Sequence, residues 1–171
     1  KFNIVQGIIM SVLVTYSSNN KIKIVSEFIA NRIDADSIEI KDLKRKNGFF
    51  NNIRNNYNAI CLNKTEISPE VIDFTNYNLI LLGTPSTCGN PSPAILTLID
   101  NCNFKNKDVI IYTTTNSKQG TGVLNELKKR VEIRGGRIIN SFIVRVNDKS
   151  NDELIRNTLK VLYELDLEIY I

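Results

Sequence analysis

The feature that most constrains the fold is a regular alternation of short apolar runs with longer amphipathic runs. "SVLVTY" (11–16) and "YNLILLGT" (77–84) are apolar through their centres, as in strands that are buried on both faces. After the first of them, apolar residues recur at helical spacing at Ile22, Val25 and Ile29. The pattern repeats along the chain. It predicts βαβ units wound into one parallel sheet with helices on both faces, a doubly wound α/β fold.

The predicted strands and helices follow one another in a simple order. The predicted strands are 11–16, 37–43, 77–84, 108–114 and 137–146. The predicted helices are 21–33, 94–101, 123–136 and 151–167, with Ser150 or Asn151 as the cap of the last. The segment 44–70 breaks the alternation, because it is polar, rich in Asn and only weakly helical. A stretch of that length with little regular structure is often functional.

The composition excludes several kinds of site. The chain has 171 residues, enough for one domain with its own core, and it contains no histidine. Cys61, Cys88 and Cys102 are scattered, without the spacing of metal ligands, so neither a zinc site nor a Cys–His nucleophile is expected. Because the cysteines are scattered and odd in number, we expect the protein in the reducing cytoplasm. The apolar runs are too short to span a bilayer, so we expect no membrane partner.

The first nine residues are set apart from the domain. They precede the only methionine, Met10, and read "KFNIVQGII". We interpret 1–9 as an expression-vector remnant or an N-terminal extension, and 10–171 as the folded domain. A signal peptide is the competing interpretation, but no small-residue cleavage site follows the apolar residues.

The chain is mildly basic, with a formal net charge of +4. Its densest basic cluster is "KDLKRK" at 41–46, with Arg54 beyond it. Such a cluster can face an acidic partner or a nucleic acid, or it can be a solvated loop. No nucleic-acid-binding motif accompanies it, so we favour the solvated loop and expect no nucleic acid partner.

Three polar loops follow predicted strands, at 17–22, 84–93 and 113–122. In an open α/β sheet, ligands bind beyond the carboxyl ends of the strands, where the strand order reverses. These loops are rich in Ser, Thr, Asn and Gly, and acidic side chains are absent from them. They therefore offer no acid–base pair. This argues against hydrolysis and favours binding of a ligand through backbone and hydroxyl groups.

Two of these loops resemble those of flavodoxins. "YSSNNKIKIVSEFIA" is similar to the phosphate loop and first helix of that family, whose usual form is [S/T]-x-T-G-x-T. "YNLILLGTPSTCGNPSPAI" resembles the third strand and flavin loop of one flavodoxin subgroup, and "LGTP…GNPSPAI" is its most specific part. The resemblance spans about 10–167. It implies a flavodoxin-like fold, with a five-stranded parallel sheet in the order 2-1-3-4-5, and non-covalent FMN as the cofactor.

The resemblance also implies which residues hold the cofactor. The phosphate would lie at Ser17, Ser18, Asn19, Asn20, Lys21 and Ile22. The ring would lie between two loops, at Thr84, Pro85, Ser86, Thr87, Cys88, Gly89 and Asn90 on one side and Thr114, Thr115, Asn116 and Ser117 on the other. No residue would be catalytic in the acid–base sense.

The phosphate loop departs from the family pattern. Asn19 replaces the usual Thr, Asn20 the Gly, and Ile22 the final Thr, so two hydroxyl donors are lost. The N–H groups at the start of the helix can still bind a phosphate. Lys21 opposes the helix dipole unless a phosphate is bound there. It either replaces the lost hydroxyls with charge, which we favour, or points into solvent.

The ring site departs as well. Thr87 stands where the resemblance places an aromatic, and Cys88 where it places a small residue, so neither stacks on a ring. Thr84 and Ser86 are expected to hydrogen-bond the ring edge. Cys88 is either a reactive thiol or, as we favour, a small residue that only fills space in the loop. Tyr57 is an aromatic cover or, as we favour, a surface or core residue.

The function that we favour is electron transfer between redox protein partners by a flavodoxin-like FMN protein. If so, its basic cluster would dock on acidic partner surfaces. One alternative is an FMN-dependent NAD(P)H:quinone oxidoreductase. Another is a cofactor-free interaction module that descends from a flavodoxin, which the altered phosphate loop and the missing aromatics favour.

Overall fold

A computed structural model describes residues 9–44, 64–116 and 120–166 of the chain. The strands are β1 Ser11–Tyr16, β2 Asp36–Asp42, β3 Ile67–Ser68, β4 Leu79–Pro85, β5 Asp108–Thr115 and β6 Arg137–Arg145. The helices are α1 Asn20–Arg32, α2 Pro93–Asn101, α3 Gly120–Ile133 and α4 Asn151–Glu164. The described residues do not include Tyr57, Cys61, Ser117 or the weakly helical stretch predicted within 44–70.

The sheet formed by the described residues has six strands, in the order β3-β2-β1-β4-β5-β6. Five of them are parallel and follow the predicted order, which confirms the doubly wound α/β architecture. The prediction of a five-stranded sheet was wrong, because the two-residue β3 pairs antiparallel with Lys41 and Asp42 at the edge. Two residues are too few to leave a periodic signal in a sequence, and a short edge strand limits further pairing.

The helices cover both faces of the sheet, as predicted. One core joins even-numbered residues of β4, such as Ile80 and Leu82, to α2 and α3. The other joins Leu13 and Leu81 to α1 and α4 through residues such as Ile29. Because alternate side chains of the central strands enter opposite cores, both faces are apolar, which explains the unbroken apolar runs in the sequence.

The ends of the helices are set by local side chains. Ser150 caps α4 in a capping box with Glu153, which confirms one of the two predicted caps. Ser92 caps α2, whose first residue is Pro93. The helix α3 begins at Gly120, three residues earlier than predicted, and ends before Gly135, whose φ is +87°. No helix in the described part of the chain has the length and hydrophobicity to cross a membrane.

Candidate functional site

The three loops that carry the predicted site residues all leave the same edge of the sheet. β1, β4 and β5 are adjacent and parallel, with Thr15 beside Gly83 and Gly83 beside Tyr112. Their carboxyl ends therefore lie together. The strand order reverses at β1, because the chain runs from β1 outward to β2 and later returns to β4 on the other side. This is the switch point at which open α/β sheets bind ligands.

Asn19 caps the helix that opens at this edge. Its Oδ1 accepts from the backbone N–H of Lys21 at 3.0 Å and from that of Ile22 at 3.2 Å. Two of the N–H groups that a helix start offers to an anion are thus bound by the chain's own amide oxygen. Asn20 is the first helical residue, so it does not take the left-handed conformation that glycine provides in the family pattern.

The remaining side chains of this loop also have partners within the chain. The hydroxyl of Ser17 donates to a carboxylate oxygen of Glu39 on β2. The ammonium of Lys21 donates to the backbone carbonyl of Lys149, which lies just before α4. Lys21 is therefore half-buried against the chain instead of pointing into solvent. Ser18 is half-buried, whereas the side chain of Ile22 is buried in the interior and offers the loop only its backbone.

Thr84 lies at the end of β4 and is fully buried. Its hydroxyl donates to Ser92 Oγ at 3.0 Å and accepts from the Ser92 N–H at 3.1 Å. Its carbonyl accepts from the Thr113 hydroxyl at 2.8 Å. The Thr84 hydroxyl, expected at the ring edge, instead holds the start of α2 to the sheet. This leaves Ser86, which is half-buried, as the predicted ring-edge hydroxyl on this loop.

Thr87, Cys88, Gly89 and Asn90 form a tight turn. Thr87 and Asn90 exchange two backbone hydrogen bonds of 2.9 and 3.0 Å, and φ is +51° at Cys88 and +80° at Gly89. Positive φ at both central residues is the type I′ geometry. Gly89 is thus a required turn residue, whereas Cys88 occupies a conformation that costs most L-residues about 1–2 kcal/mol. The thiol of Cys88 is exposed.

The second ring loop starts as a continuation of β5. The strand ends at Thr115, one residue beyond the predicted end. Thr114 and Thr115 are buried, and Asn116 is exposed. The Thr114 carbonyl accepts from the Ser86 N–H at 2.8 Å, so the two loops run side by side. Among the predicted ring-site residues, Cys88 and Asn116 are exposed, Pro85 is buried, and Ser86, Thr87, Gly89 and Asn90 are half-buried.

A buried polar cluster lies behind the start of α1. The Tyr112 hydroxyl is 2.7 Å from Ser26 Oγ, and Ser26 donates to Thr15 Oγ1 at 3.2 Å. The Tyr112 ring stacks on Phe142 at 5.1 Å. It fills the space where a side chain at Gly83 would lie. Complete burial raises the pKa of Tyr112 above its ordinary value, since the ionised phenol would lose its hydration.

The sequence interpretation missed Glu39, Ser92, Tyr112 and Lys149. Glu39 alternates with Ile38 and Ile40 on a strand, and it stands opposite Thr15 in the β1–β2 register. Only that register brings its carboxylate to Ser17. A cavity of about 260 Å³ lies beside this contact, lined by Tyr16, Ser17, Ser18, Glu39, Ile40, Lys41 and Asp42. Among the described side chains, no group of three or more Cys, Asp and Glu is placed to hold a metal ion.

Solved structures share this fold. A candidate flavoprotein from Bacteroides uniformis ATCC 8492 superposes with a TM-score of 0.73, at 15% identity, over 86% of this chain and 96% of that chain. A flavoprotein in complex with FMN from Lactobacillus acidophilus NCFM gives 0.63, at 21% identity, over 78% and 92%. Oxidised flavodoxin 1 from Bacillus cereus gives 0.61, at 15% identity, over 91% and 96%. The sequence matches no protein-family model and no curated protein. The chain therefore has the flavodoxin-like fold.

Proposed function

We propose that this chain is an FMN-binding flavoprotein that carries electrons between protein partners. One observation carries the proposal: the loops after β1, β4 and β5 lie together at the switch point of a flavodoxin-like sheet, and α1 opens there. An FMN complex with the same fold supports FMN as the ligand. The resemblance of "LGTP…GNPSPAI" to a flavin loop supports the same ligand independently.

The residues present fit this cofactor. Helix geometry leaves the N–H groups of Asn19 and Asn20 without intrahelical acceptors, and the helix dipole favours an anion at this end. With the Ser18 hydroxyl, they form the phosphate end of the site. The ring would lie against the turn at 87–90 and the loop that begins at Asn116. Gly122 lies close to that turn, because a Cβ at Gly122 would lie 3.2 Å from the Gly89 carbonyl oxygen.

The chemistry would belong to the cofactor, which accepts and donates one or two electrons when bound. The chain's own residues bind and orient it and limit its contact with water. Neither the 17–22 loop nor the 84–90 turn carries an acid beside a base, so no side chain is assigned a proton-transfer step. This arrangement suits a carrier better than an enzyme that activates a substrate.

The partners of such a carrier would be redox proteins with acidic docking surfaces. Lys41 is exposed on β2, and Lys44 is paired with Glu66 at 2.7 Å, so only part of the basic cluster is available near the site. Arg45 and Lys46 lie outside the described residues. Docking of this kind would slow electron transfer as salt is raised, and a rate that ignores salt would contradict it. Because Cys88 and Cys102 are both free thiols, we place the protein in a reducing compartment, with the cytoplasm as our choice.

The function is tested with FMN-loaded protein in two steps. Titration with quenching of flavin fluorescence should give saturable one-to-one binding. The photoreduced complex should then pass electrons to a one-electron acceptor protein, while NADH and NADPH should not reduce it directly. Direct oxidation of either nucleotide coupled to a quinone would contradict the carrier and favour the oxidoreductase alternative.

A second candidate, a cofactor-free interaction module, is favoured by a specific observation. Ser17, Lys21 and the N–H groups of Lys21 and Ile22 all have partners within the chain. A loop whose groups already have partners is stable without a ligand. Protein that remains colourless and unquenched with FMN far above micromolar concentration would favour this candidate and contradict the first.

A further inference from the structure

We infer that Glu39 makes this site discriminate against the phosphate of its flavin, so that its negative charge weakens the binding of FMN and leaves the binding of riboflavin unchanged. The inference rests on the proposed flavin function and concerns the specificity of the same site. It assigns Glu39 a role as a specificity-determining residue, one strand away from the loop that would hold the phosphate.

The first step is the position of the carboxylate. Glu39 is paired with Thr15 in the parallel register of β1 and β2, so its side chain lies on the same face of the sheet as that of Thr15. Thr15 contacts Ser26 of α1 on that face. The carboxylate thus reaches the loop between β1 and α1, where it accepts from Ser17.

The second step concerns the donors. A serine hydroxyl has one proton, so Ser17 cannot donate to Glu39 and to a phosphate at the same time. Asn19 Oδ1 holds the N–H groups of Lys21 and Ile22, and the Lys149 carbonyl holds the Lys21 ammonium. A phosphate held by Ser18, Asn19 and Asn20 could therefore gain further bonds from Ser17, Lys21 or Ile22 only by displacing oxygen atoms of the chain.

The third step is charge. A phosphate monoester carries about two negative charges at neutral pH. A phosphate held by Ser18, Asn19 and Asn20 would lie next to Ser17 in the loop, and therefore near the Glu39 carboxylate that Ser17 contacts. Glu39 is exposed, so water and salt weaken the repulsion without removing it. Removal of this single charge should therefore tighten FMN by about three- to tenfold. Riboflavin has the same ring and no phosphate, so its affinity should stay constant.

The test compares dissociation constants of FMN and riboflavin for the wild-type chain, Glu39→Gln and Glu132→Gln. The amide introduced by Glu39→Gln keeps an acceptor for Ser17 but loses the charge. Glu132 is the matched control, since it is a half-exposed acid near the end of α3, at the opposite edge of the sheet. The expected result is a three- to tenfold gain for FMN in Glu39→Gln alone, with riboflavin unchanged in all three proteins.

The other outcomes separate the two claims. If Glu39→Gln leaves FMN affinity unchanged, or changes both flavins equally, the role of Glu39 is wrong while the flavin function stands. If none of the three proteins binds either flavin, the proposed function fails and the inference fails with it.

Discussion

Tyr112→Phe removes one buried hydroxyl and keeps the ring that stacks on Phe142. In the wild-type chain this hydroxyl lies 2.7 Å from Ser26 Oγ in a fully buried setting. Ser26 would keep Thr15 as a second partner. The loss should therefore be that of one ordinary hydrogen bond, about 1 kcal/mol of the free energy of unfolding at pH 7. For a domain of this size, that is a fall in Tm of about 2–4 °C.

The same substitution should show a distinct pH dependence. Burial raises the pKa of Tyr112 in the folded chain above its ordinary value of 10.0. Above pH 10 the unfolded chain loses a proton that the folded chain retains, so stability falls as pH rises. By pH 11 the wild-type protein should lose about 1.4 kcal/mol that Tyr112→Phe does not lose. The stability advantage of the wild type at pH 7 should thus disappear or reverse.

The assay is urea unfolding of both proteins between pH 7 and pH 11, followed by circular dichroism. Tyr163→Phe is the matched control, because it removes the same hydroxyl from a side chain that is 54% exposed. It should change the free energy of unfolding at pH 7 by less than about 0.5 kcal/mol. A constant difference between wild type and Tyr112→Phe across this pH range would refute the reasoning, since a buried phenol cannot titrate like a free one.

Three further changes test other parts of the fold by the same unfolding measurement. Cys88→Asn should stabilise the chain by about 0.5–1 kcal/mol, because Asn tolerates the left-handed position of a type I′ turn better than Cys; a lower midpoint would contradict this. Gly83→Ala should destabilise it by about 1–3 kcal/mol, because the new Cβ would lie 2.2 Å from the Tyr112 ring; a neutral effect would mean that the ring moves freely. Ser92→Ala should cost about 1–2 kcal/mol, because it removes the cap of α2 and a partner of Thr84; an unchanged midpoint would show that the cap is dispensable.

The parallel sheet could be predicted because its three central strands, β1, β4 and β5, are buried on both faces. Such strands need apolar side chains at nearly every position, as in 79–82. This pattern can be recognised in the sequence of one strand, without knowing which strands lie beside it. Strand β3 could not be predicted, because it has two residues and depends on Lys41 and Asp42 for its pairing. The early start of α3 was missed because two glycines, Gly120 and Gly122, lie in its first turn and usually mark loops.

The candidate site could be predicted in position but not in detail. The loops follow from the strand order, so their convergence was foreseeable. The direction of each side chain was not, because it depends on contacts between distant elements. Thr84 is turned inward by Ser92, Ser17 is held by Glu39, and Lys21 by the Lys149 carbonyl. The last of these pairs lies 128 positions apart in sequence.

The most direct test of the flavin site is an FMN titration of ¹⁵N-labelled protein followed by amide chemical shifts. If the three loops bind the cofactor, saturable shifts should appear at 17–22, 84–90 and 114–116. The chemical shifts of amides at the opposite edge of the sheet, such as those of Asn103 and Arg134, should not change. Saturable shifts at that opposite edge, or no shifts at millimolar FMN, would contradict the assignment of the flavin to the switch point.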